Sequence, residues 1–406
     1  MKPAYKTLYL LAMLFGLLTH PARATSAPDH ALSMALEQAW ALHPLAAALE
    51  ARSDAARADQ DIAASLTPAP AKLSLGHLND RLGSNHGKQE WEIELAAPLW
   101  LPHQKAGQAA VAAGAVDQVA ARRAALRLEL AGELRAAWWA LAAARQAATL
   151  AQRRLDAARE LEADVMRRYR AGDLARLDAN MARGETLSAQ AASVQSETAL
   201  RQAERDWRSL TRLPPPAQLA AEAPPPDTTS DAHPRLTALD SAARAAQAQL
   251  HLARASRRDA PQLALGVQRD RGDSGEAFDH AVGIKLSIPF ASAPRQRRDN
   301  AVARAELAEA QAEHARAATR LSLEIEQARL QQATTLQLWE MAQERQALSA
   351  DNLQLAETSF RLGESGLSAL LRARSVAFEA EAGLNAAEVA RGQAISQLRH
   401  AMGLLP

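Results

Sequence analysis

The spacing of proline constrains this chain more than any other feature of its sequence. No proline occurs at 103–213 and none at 295–405, so the chain contains two proline-free segments of 111 residues each. Proline disrupts helix interiors because it has no N–H to donate and its ring clashes with the preceding turn. Two such segments therefore predict two sets of long helices, and their equal length suggests an internal duplication.

Short matching segments, offset by about 190 residues, support the duplication. The segment LAQRR at 150–154 matches MAQER at 341–345, and YRAGD at 169–173 matches FRLGE at 360–364. The pair His43-Pro44 recurs as His233-Pro234. We predict a first repeat at 25–212, a linker at 213–233 and a second repeat at 234–406. The linker prediction rests on the seven prolines found between residues 213 and 234.

Each repeat shows the same order of patterns: a helix, two strands, a very long helix, a glycine turn and a returning helix. In the first repeat the predicted bounds are 44–66, 71–79, 90–97, 103–171 and 175–211, with the turn at Gly172. In the second they are 234–259, 262–270, 280–288, 295–362 and 366–402, with the turn at Gly363. A continuous helix over 295–362 would be about 100 Å long.

The N-terminus has the pattern of an export signal. Lys2 and Lys6 precede an apolar run at 8–18, and Ala22-Arg23-Ala24 provides a small-residue cleavage site. This predicts a signal peptide at 1–24 that is removed before Thr25. No later stretch of about 20 apolar residues occurs, so a transmembrane helix is not expected. If the mature chain enters a bilayer, we expect it to do so as closed β-structure.

The four predicted strands alternate between apolar and polar residues, as strands with two different faces do. In the second strand, Trp91, Ile93 and Leu95 would share one face and Glu90, Glu92 and Glu94 the other. Each strand has eight or nine residues, close to the ~9–11 of a membrane-spanning strand. An apolar outer face and a polar inner face are typical of a barrel with a water-filled lumen. The predicted lumen residues are Lys72, Glu90, Glu92, Glu94 and Lys285.

Four strands cannot close a barrel around water, because about eight are the usual bacterial minimum. We therefore expect a cyclic oligomer. The same alternation also suits an ordinary half-buried sheet, and that alternative stays open at the sequence level.

Several classes of function find no support. Lysine plus arginine number 47 and aspartate plus glutamate 46, so nothing indicates a nucleic-acid-binding protein. Cysteine is absent, and the histidines near the hairpins follow no usual zinc-binding spacing. No metalloprotease or dinucleotide-binding motif occurs. We expect no catalytic residue, no metal site and no cofactor.

The paired segments 169–173 and 360–374, with the prolines that end the strands and the repeats, resemble the TolC-like outer-membrane efflux family. The resemblance covers nearly all of the mature chain. It implies a mainly helical protein with a small β part, which trimerises into a 12-stranded outer-membrane β-barrel continued by a 12-helix periplasmic α-barrel. Its implied partners are a periplasmic adaptor and a proton-driven inner-membrane pump. The overall size and the absence of a long C-terminal extension resemble the branch that serves heavy-metal cation pumps, and efflux of drugs or other organic solutes stays open as the alternative.

The resemblance also assigns the glycine turns to the periplasmic tips of the duct. The charges near these tips are Asp173, Arg176, Asp178, Glu364, Arg372 and Arg374. Where the family implies a pair of aspartates that narrows the aperture, this chain has Ala369 and Arg372 instead. The tip charges are therefore expected either to close the aperture or to be solvated helix-end charges.

The function expected from these observations is a passive trimeric duct in the outer membrane that reaches into the periplasm. Two alternatives stay open. A periplasmic adaptor would also carry long helical hairpins but would need further β-rich domains, and a coiled-coil scaffold would lack strands compatible with lipid.

Overall fold

The computed structural model describes residues 27–226 and 232–406. The predicted signal peptide lies outside these residues. The described part contains seven helices and four strands. The helices are α1 (Ala27–Leu42), α2 (Pro44–Ala64), α3 (Gln104–Ala171), α4 (Arg176–Thr211), α5 (Pro234–Ala255), α6 (Ala293–Arg361) and α7 (Leu367–Ala401). The strands are β1 (Lys72–Asn79), β2 (Gln89–Pro98), β3 (Gln262–Arg271) and β4 (Asp279–Ser287).

The order of elements from α2 to α4 recurs from α5 to α7, as the matching segments predicted. Predicted and observed bounds agree within four residues, and α1 is a helix that the sequence pattern did not indicate. Both repeats begin with the same cap. The ring Nδ1 of His43 accepts a hydrogen bond from the Leu45 N–H, and His233 Nδ1 accepts one from the Arg235 N–H, each at 3.2 Å. The proline after each histidine occupies the first helical turn, where its missing N–H costs no hydrogen bond.

The two long helices, α3 with 68 residues and α6 with 69, are each about 100 Å in length. Each packs lengthwise against the returning helix of its own repeat, so that α4 lies along α3 and α7 along α6. Contacts between α3 and α7 join the two repeats. Helices α2 and α5 both pack on α3, and α5 also packs on α6.

The four strands form one antiparallel sheet in the order β1-β2-β3-β4. The hairpin of each repeat therefore pairs with the other hairpin through β2 and β3, where Ile93 lies opposite Val267 and Leu95 opposite Leu265. The sheet lies beyond the ends of the helices. Its two loops, 80–88 and 272–278, join the strands at the ends that are farthest from the helices.

The main core lies where α1, α3, α4 and α7 meet. It includes Leu36, Leu134, Trp138 and Trp207, each at most 2% exposed. A second cluster joins the far ends of the four long helices and contains Val165, Phe360 and Leu370. No helix in the described part of the chain is both long enough and apolar enough to cross a membrane.

Candidate functional site

Two regions carry the residues predicted to be functional: the sheet and the helix tips. In the sheet, the pairing register brings most of the large apolar residues of the four strands to one face, while Leu78 lies opposite Glu90 on the other. Leu75, Ile93, Val267 and Val282 form one row across the strands, and Leu73, Leu95, Leu265 and Ile284 form the next. These side chains are open to solvent in the single chain, up to 82% for Val282. Burying them requires surroundings that the chain does not provide.

The opposite face of the sheet is mainly polar, and most of its charged residues are acidic. Glu90, Glu92 and Glu94 lie on it, as predicted, and the register adds Asp270 opposite Glu90 and Asp279 opposite Asp270. The sequence analysis did not assign these two aspartates to the polar face, because only the register places them there. Glu90 accepts a hydrogen bond from the Gln268 side chain at 2.9 Å.

Two predicted lysines share this polar face. Lys285 lies 3.8 Å from Glu94, and its side chain is 71% exposed, so the pair is solvent-screened. Lys72 pairs in register with Ala96 at the end of the sheet nearest the helices. The face therefore presents more carboxylates than ammonium groups, which attracts cations.

At the tips, both long helices end at a glycine in the left-handed conformation, with φ of 89° at Gly172 and 76° at Gly363. The closing hydrogen bonds are the same in both repeats. The N–H of Gly172 donates to Tyr169 O and that of Asp173 to Arg168 O, while Gly363 donates to Phe360 O and Glu364 to Ser359 O. These bonds satisfy carbonyls that would otherwise lack a partner at the helix end. The turns predicted at Gly172 and Gly363 are thus observed as turns.

A hydrophobic cluster packs the two tips together. It is formed by Leu161 and Val165 of α3, Ala179 and Ala182 of α4, Phe360 of α6, and Leu367 and Leu370 of α7. The Arg168 guanidinium lies over the Phe360 ring at 5.3 Å and links α3 to α6. Because residues of both repeats share this cluster, one tip cannot move far without disturbing the other.

The six predicted tip charges fall into different environments. The Asp178 carboxylate accepts a hydrogen bond from the Ala175 N–H at 3.2 Å and so caps α4. The side chain of Arg374 donates to Ala157 O of α3 at 3.0 Å and to Glu357 of α6 at 2.8 Å. Arg374 thereby ties three helices together.

Asp173, Arg176, Glu364 and Arg372 are exposed. None of these four belongs to an ion pair within residues 27–226 and 232–406. Of the six, they are the charges that remain available to a second molecule.

Comparison with solved structures matches almost the whole of this architecture. CusC, in structures that describe folding and transmembrane channel formation, shares 16% sequence identity over 99% of both chains, with a TM-score of 0.76. The CmeC outer membrane channel of Campylobacter jejuni shares 14% identity over 92% of this chain and 86% of its own, with a TM-score of 0.73. The MtrE outer membrane channel of Neisseria gonorrhoeae shares 19% identity over 93% and 89%, with a TM-score of 0.72.

The chain has the fold of the TolC-like outer-membrane channels. No family model and no curated protein matches its sequence. At 14–19% sequence identity, these likenesses support the fold rather than a shared function. The expected fold class is confirmed, since the protein is mainly helical, with a small antiparallel sheet.

A buried charge cluster secures the linker to this channel fold, and sequence reasoning did not find it. Glu222 lies in the linker, with its side chain completely buried. Its carboxylate accepts hydrogen bonds from Arg135 of α3 at 2.7 and 2.8 Å and from the Ser396 hydroxyl at 2.5 Å. The Nε of Arg399 lies 3.0 Å away. We call Glu222, Arg135, Ser396 and Arg399 the linker clamp.

The same two arginines also hold the C-terminal segment. Arg135 donates to Leu404 O at 3.0 Å, and Arg399 donates to Leu405 O at 3.3 Å and to Ala223 O at 3.1 Å. Burial raises the pKa of the Glu222 carboxyl, but the hydrogen bonds and charge of Arg135 outweigh this and leave that pKa below its ordinary value. Glu222 therefore stays ionised at neutral pH.

One buried histidine, His233, and one half-buried histidine, His400, lie beside the clamp. Burial lowers the pKa of His400 to about 4, and the positive charges of Arg135 and Arg235 add to the effect. Burial also lowers the pKa of His233, the residue that caps α5. Both rings are neutral at pH 7. Within the described residues, no group of three or more histidines and carboxylates is arranged to hold a metal ion.

Proposed function

We propose that this protein is the outer-membrane channel of a tripartite efflux system. In this proposal it is a passive trimeric duct that carries solutes from an inner-membrane pump and a periplasmic adaptor to the exterior. The observation that carries the proposal is the sheet, with one apolar face open to the surroundings and one acidic face, at the end of helices about 100 Å long. Such a sheet fits one part of a membrane β-barrel, in which the apolar face contacts lipid and the acidic face lines a water-filled lumen.

The trimer follows from the strand count. Each chain contributes four strands to one open sheet, so β1 and β4 are edge strands with unpaired backbone groups. Within a bilayer such edges must be paired, since no water is present to satisfy them. Three copies would close a 12-stranded barrel, and the long helices would form the 12-helix wall below it.

A second set of unpartnered apolar residues supports the same assembly. Along α6 they recur mostly at intervals of seven, which is the repeat of a coiled-coil seam. The residues are Leu323, Leu330, Met341, Leu348 and Leu355 of α6 and Leu362 directly after it, each more than half exposed. A neighbouring copy of the chain would pack against these residues and bury them.

The proposed cargo follows from charge. Three acidic strand faces around one lumen would concentrate cations, and heavy-metal cations are the class that the sequence resemblance favours. The duct contains no group that would supply energy, so transport would be driven by the pump, proposed to be proton-driven. We propose no enzymatic role, because neither the sheet nor the tips combine a nucleophile, a base and a pocket.

The adaptor and scaffold alternatives gain no support from the structure. An adaptor needs further β-rich domains, whereas residues 27–226 and 232–406 hold a single four-stranded sheet. A soluble scaffold would leave the apolar face of that sheet in water.

Fractionation of cells that express the full chain tests the proposal. We expect the protein in the outer membrane, as a trimer in detergent, with a mature N-terminus near Thr25. The purified trimer should form ion-conducting pores in planar bilayers. A monomer in the soluble periplasmic fraction would contradict both the location and the assembly.

A further inference from the structure

The apolar face of the sheet ends, on the side of the loops, in a row of different chemistry. Beyond the apolar rows, the next position across the four strands holds His77, Trp91, Arg269 and His280. His77 stacks on Trp91 with ring centroids 4.0 Å apart. Two positions further along β3, Arg271 lies on the same face. A cationic and aromatic border therefore follows an apolar band that runs from Leu263 to Val267 on β3, about 13 Å along the strand.

The two arginines of this border are held in a common arrangement. The guanidinium of Arg269 lies 4.1 Å, and that of Arg271 4.8 Å, from the centre of the Phe278 ring. An arginine stacked on an aromatic ring keeps its N–H donors free along the edge of the guanidinium plane. Arg271 uses its Nε to donate to Gly87 O at 3.2 Å, which also fixes the end of β3 to the first outer loop.

Neither guanidinium forms an ion pair with a residue of 27–226 or 232–406. In the described residues, the one ion pair that involves a strand residue is Lys285 with Glu94 on the polar face. The acidic residues of the same region lie on the opposite, polar face. Asp270, between Arg269 and Arg271 in β3, shares that polar face with Glu90. Strand β3 thus directs its cations to the apolar face and its anion to the polar face. Charge of one sign is left at the border of the apolar band.

We propose that Arg269 and Arg271 form a binding site for the phosphate groups of lipid headgroups in the outer leaflet. This inference rests on the proposed function, which places the apolar face against lipid and the loops at the outer surface. The paired guanidinium edges can each donate two N–H groups to a phosphate, which is the geometry that arginine provides for this anion. Trp91 beside them would lie at the level of the headgroups, where its amphipathic ring is favoured.

Lipid retention by the purified trimer tests the site. The full-length protein is stripped of lipid in mild detergent, incubated with diphosphorylated lipid A, and examined by native mass spectrometry. We expect the parent trimer to retain lipid A, and the double variant Arg269→Gln/Arg271→Gln to retain at least about tenfold less. The variant Arg269→Lys/Arg271→Lys should recover part of the binding, because it keeps the charge but loses the bidentate donors.

Arg316→Gln/Arg320→Gln is the matched control, since it removes two exposed, unpaired arginines from α6, far from the sheet. This control should bind lipid A as the parent does, and lipid A stripped of both phosphates should bind the parent as weakly as the double variant. Equal retention by the parent and the sheet variant would overturn the inference. Displacement of lipid A by an equal concentration of inorganic phosphate would overturn it as well, because the site would then recognise free phosphate. Pore formation in phosphatidylcholine bilayers tests the channel separately, so a conducting protein with unchanged lipid binding would refute only the headgroup site.

Discussion

Glu222 shows how much of this architecture depends on single side chains. It is a carboxylate with no exposed surface, between two arginines whose side chains are 4% and 14% exposed. A buried ion pair is weak evidence of net stability, because desolvation of both partners opposes their attraction. Removing one partner is different, since it leaves the other charge buried without compensation. Here it would leave two arginines in that state and release the linker and the C-terminal segment together.

We predict that Glu222→Gln lowers the free energy of unfolding by about 3–5 kcal/mol, the usual cost of breaking a buried pair. Denaturant titration of the purified trimer would measure the change. Glu185→Gln is the matched control, because Glu185 pairs with Arg154 through side chains that are 30% and 31% exposed. That substitution should cost less than about 1 kcal/mol. Equal effects of the two substitutions would show that the clamp contributes no more than a surface pair.

The histidines beside the clamp predict a loss of stability in acid. The pKa of His400 is about 4 in the folded protein, against an ordinary value of 6.5. Between these values the unfolded chain binds the proton and the folded one does not, so stability rises with pH and falls as pH decreases. The slope is at most about 1.4 kcal/mol per pH unit for one histidine. Glu222 acts in the same direction, but only near and below its ordinary value of 4.5, where an unfolded carboxyl takes up a proton.

Melting temperatures recorded between pH 7.5 and 5 isolate the histidine contribution. We expect the parent to lose stability over this interval and His400→Gln to show a flatter dependence. His251→Gln removes an exposed histidine from α5 and should leave the parent's dependence unchanged. An identical pH dependence in the parent and His400→Gln would contradict the assignment.

At the scale of the elements, β2 is the strand with the clearest functional prediction. Its polar face carries Glu90, Glu92 and Glu94, which would give nine carboxylates in a closed trimer. Rings of one charge favour counter-ions in a pore. We predict cation preference in planar bilayers, and a smaller preference after replacement of all three glutamates by glutamine. Reversal potentials across a salt gradient measure this directly.

Lys285→Gln provides the opposing test, since Lys285 lies on the same face and 3.8 Å from Glu94. Loss of this positive charge should increase the preference for cations. If both variants keep the parent's selectivity, the strand charges are merely solvated and selectivity is determined elsewhere.

Much of the element structure is predictable from local patterns. The long helices follow from the absence of proline, the turns from Gly172 and Gly363, and the faces of the strands from alternation. Helix α1, with 16 residues, was missed by the sequence analysis, and it ends at the His43-Pro44 break. Its burial depends on Trp138 and Leu134 of α3, about 100 residues later in the chain. A local sequence pattern cannot show that a helix packs against residues so far along the chain.

At the scale of the whole molecule, the unpredicted features join distant parts of the sequence. The clamp links residues 87 and 174 positions apart, and the tip cluster joins Val165 to Leu370. No local motif marks these contacts, since Glu222 is one acid among 46. Pairing of β2 with β3 joins strands of different repeats in the same way. The duplication predicted the units but not how they would be attached to each other.

In the proposed trimer, the periplasmic aperture is also a property of the whole assembly, because three copies would meet there. Arg374 cannot act freely in it, since it bonds to α3 and α6 of its own chain. Arg372 is exposed two residues away and belongs to no ion pair within the described part of the chain. It occupies a place where the family resemblance implies an aspartate. We infer that Arg372 pairs across the aperture with an acid of a neighbouring copy, for which Asp173 and Glu364 are the exposed candidates.

Such pairs are partly solvated and contribute about 1 kcal/mol each or less, so a closed aperture would be easily opened. An adaptor that binds the open tips more tightly than the closed ones would shift the population by that difference in affinity alone.

We predict that Arg372→Glu raises single-channel conductance in the absence of an adaptor, because like charges would then face each other across the aperture. Arg176→Glu is the matched control, since Arg176 is an equally exposed arginine at the other tip and has no aspartate counterpart in the family resemblance. Trimer assembly, followed by sizing in detergent, should be intact in both variants. If Arg372→Glu forms trimers that conduct no more than the parent, Arg372 does not hold the aperture closed. A larger increase from Arg176→Glu would transfer that role to the first tip.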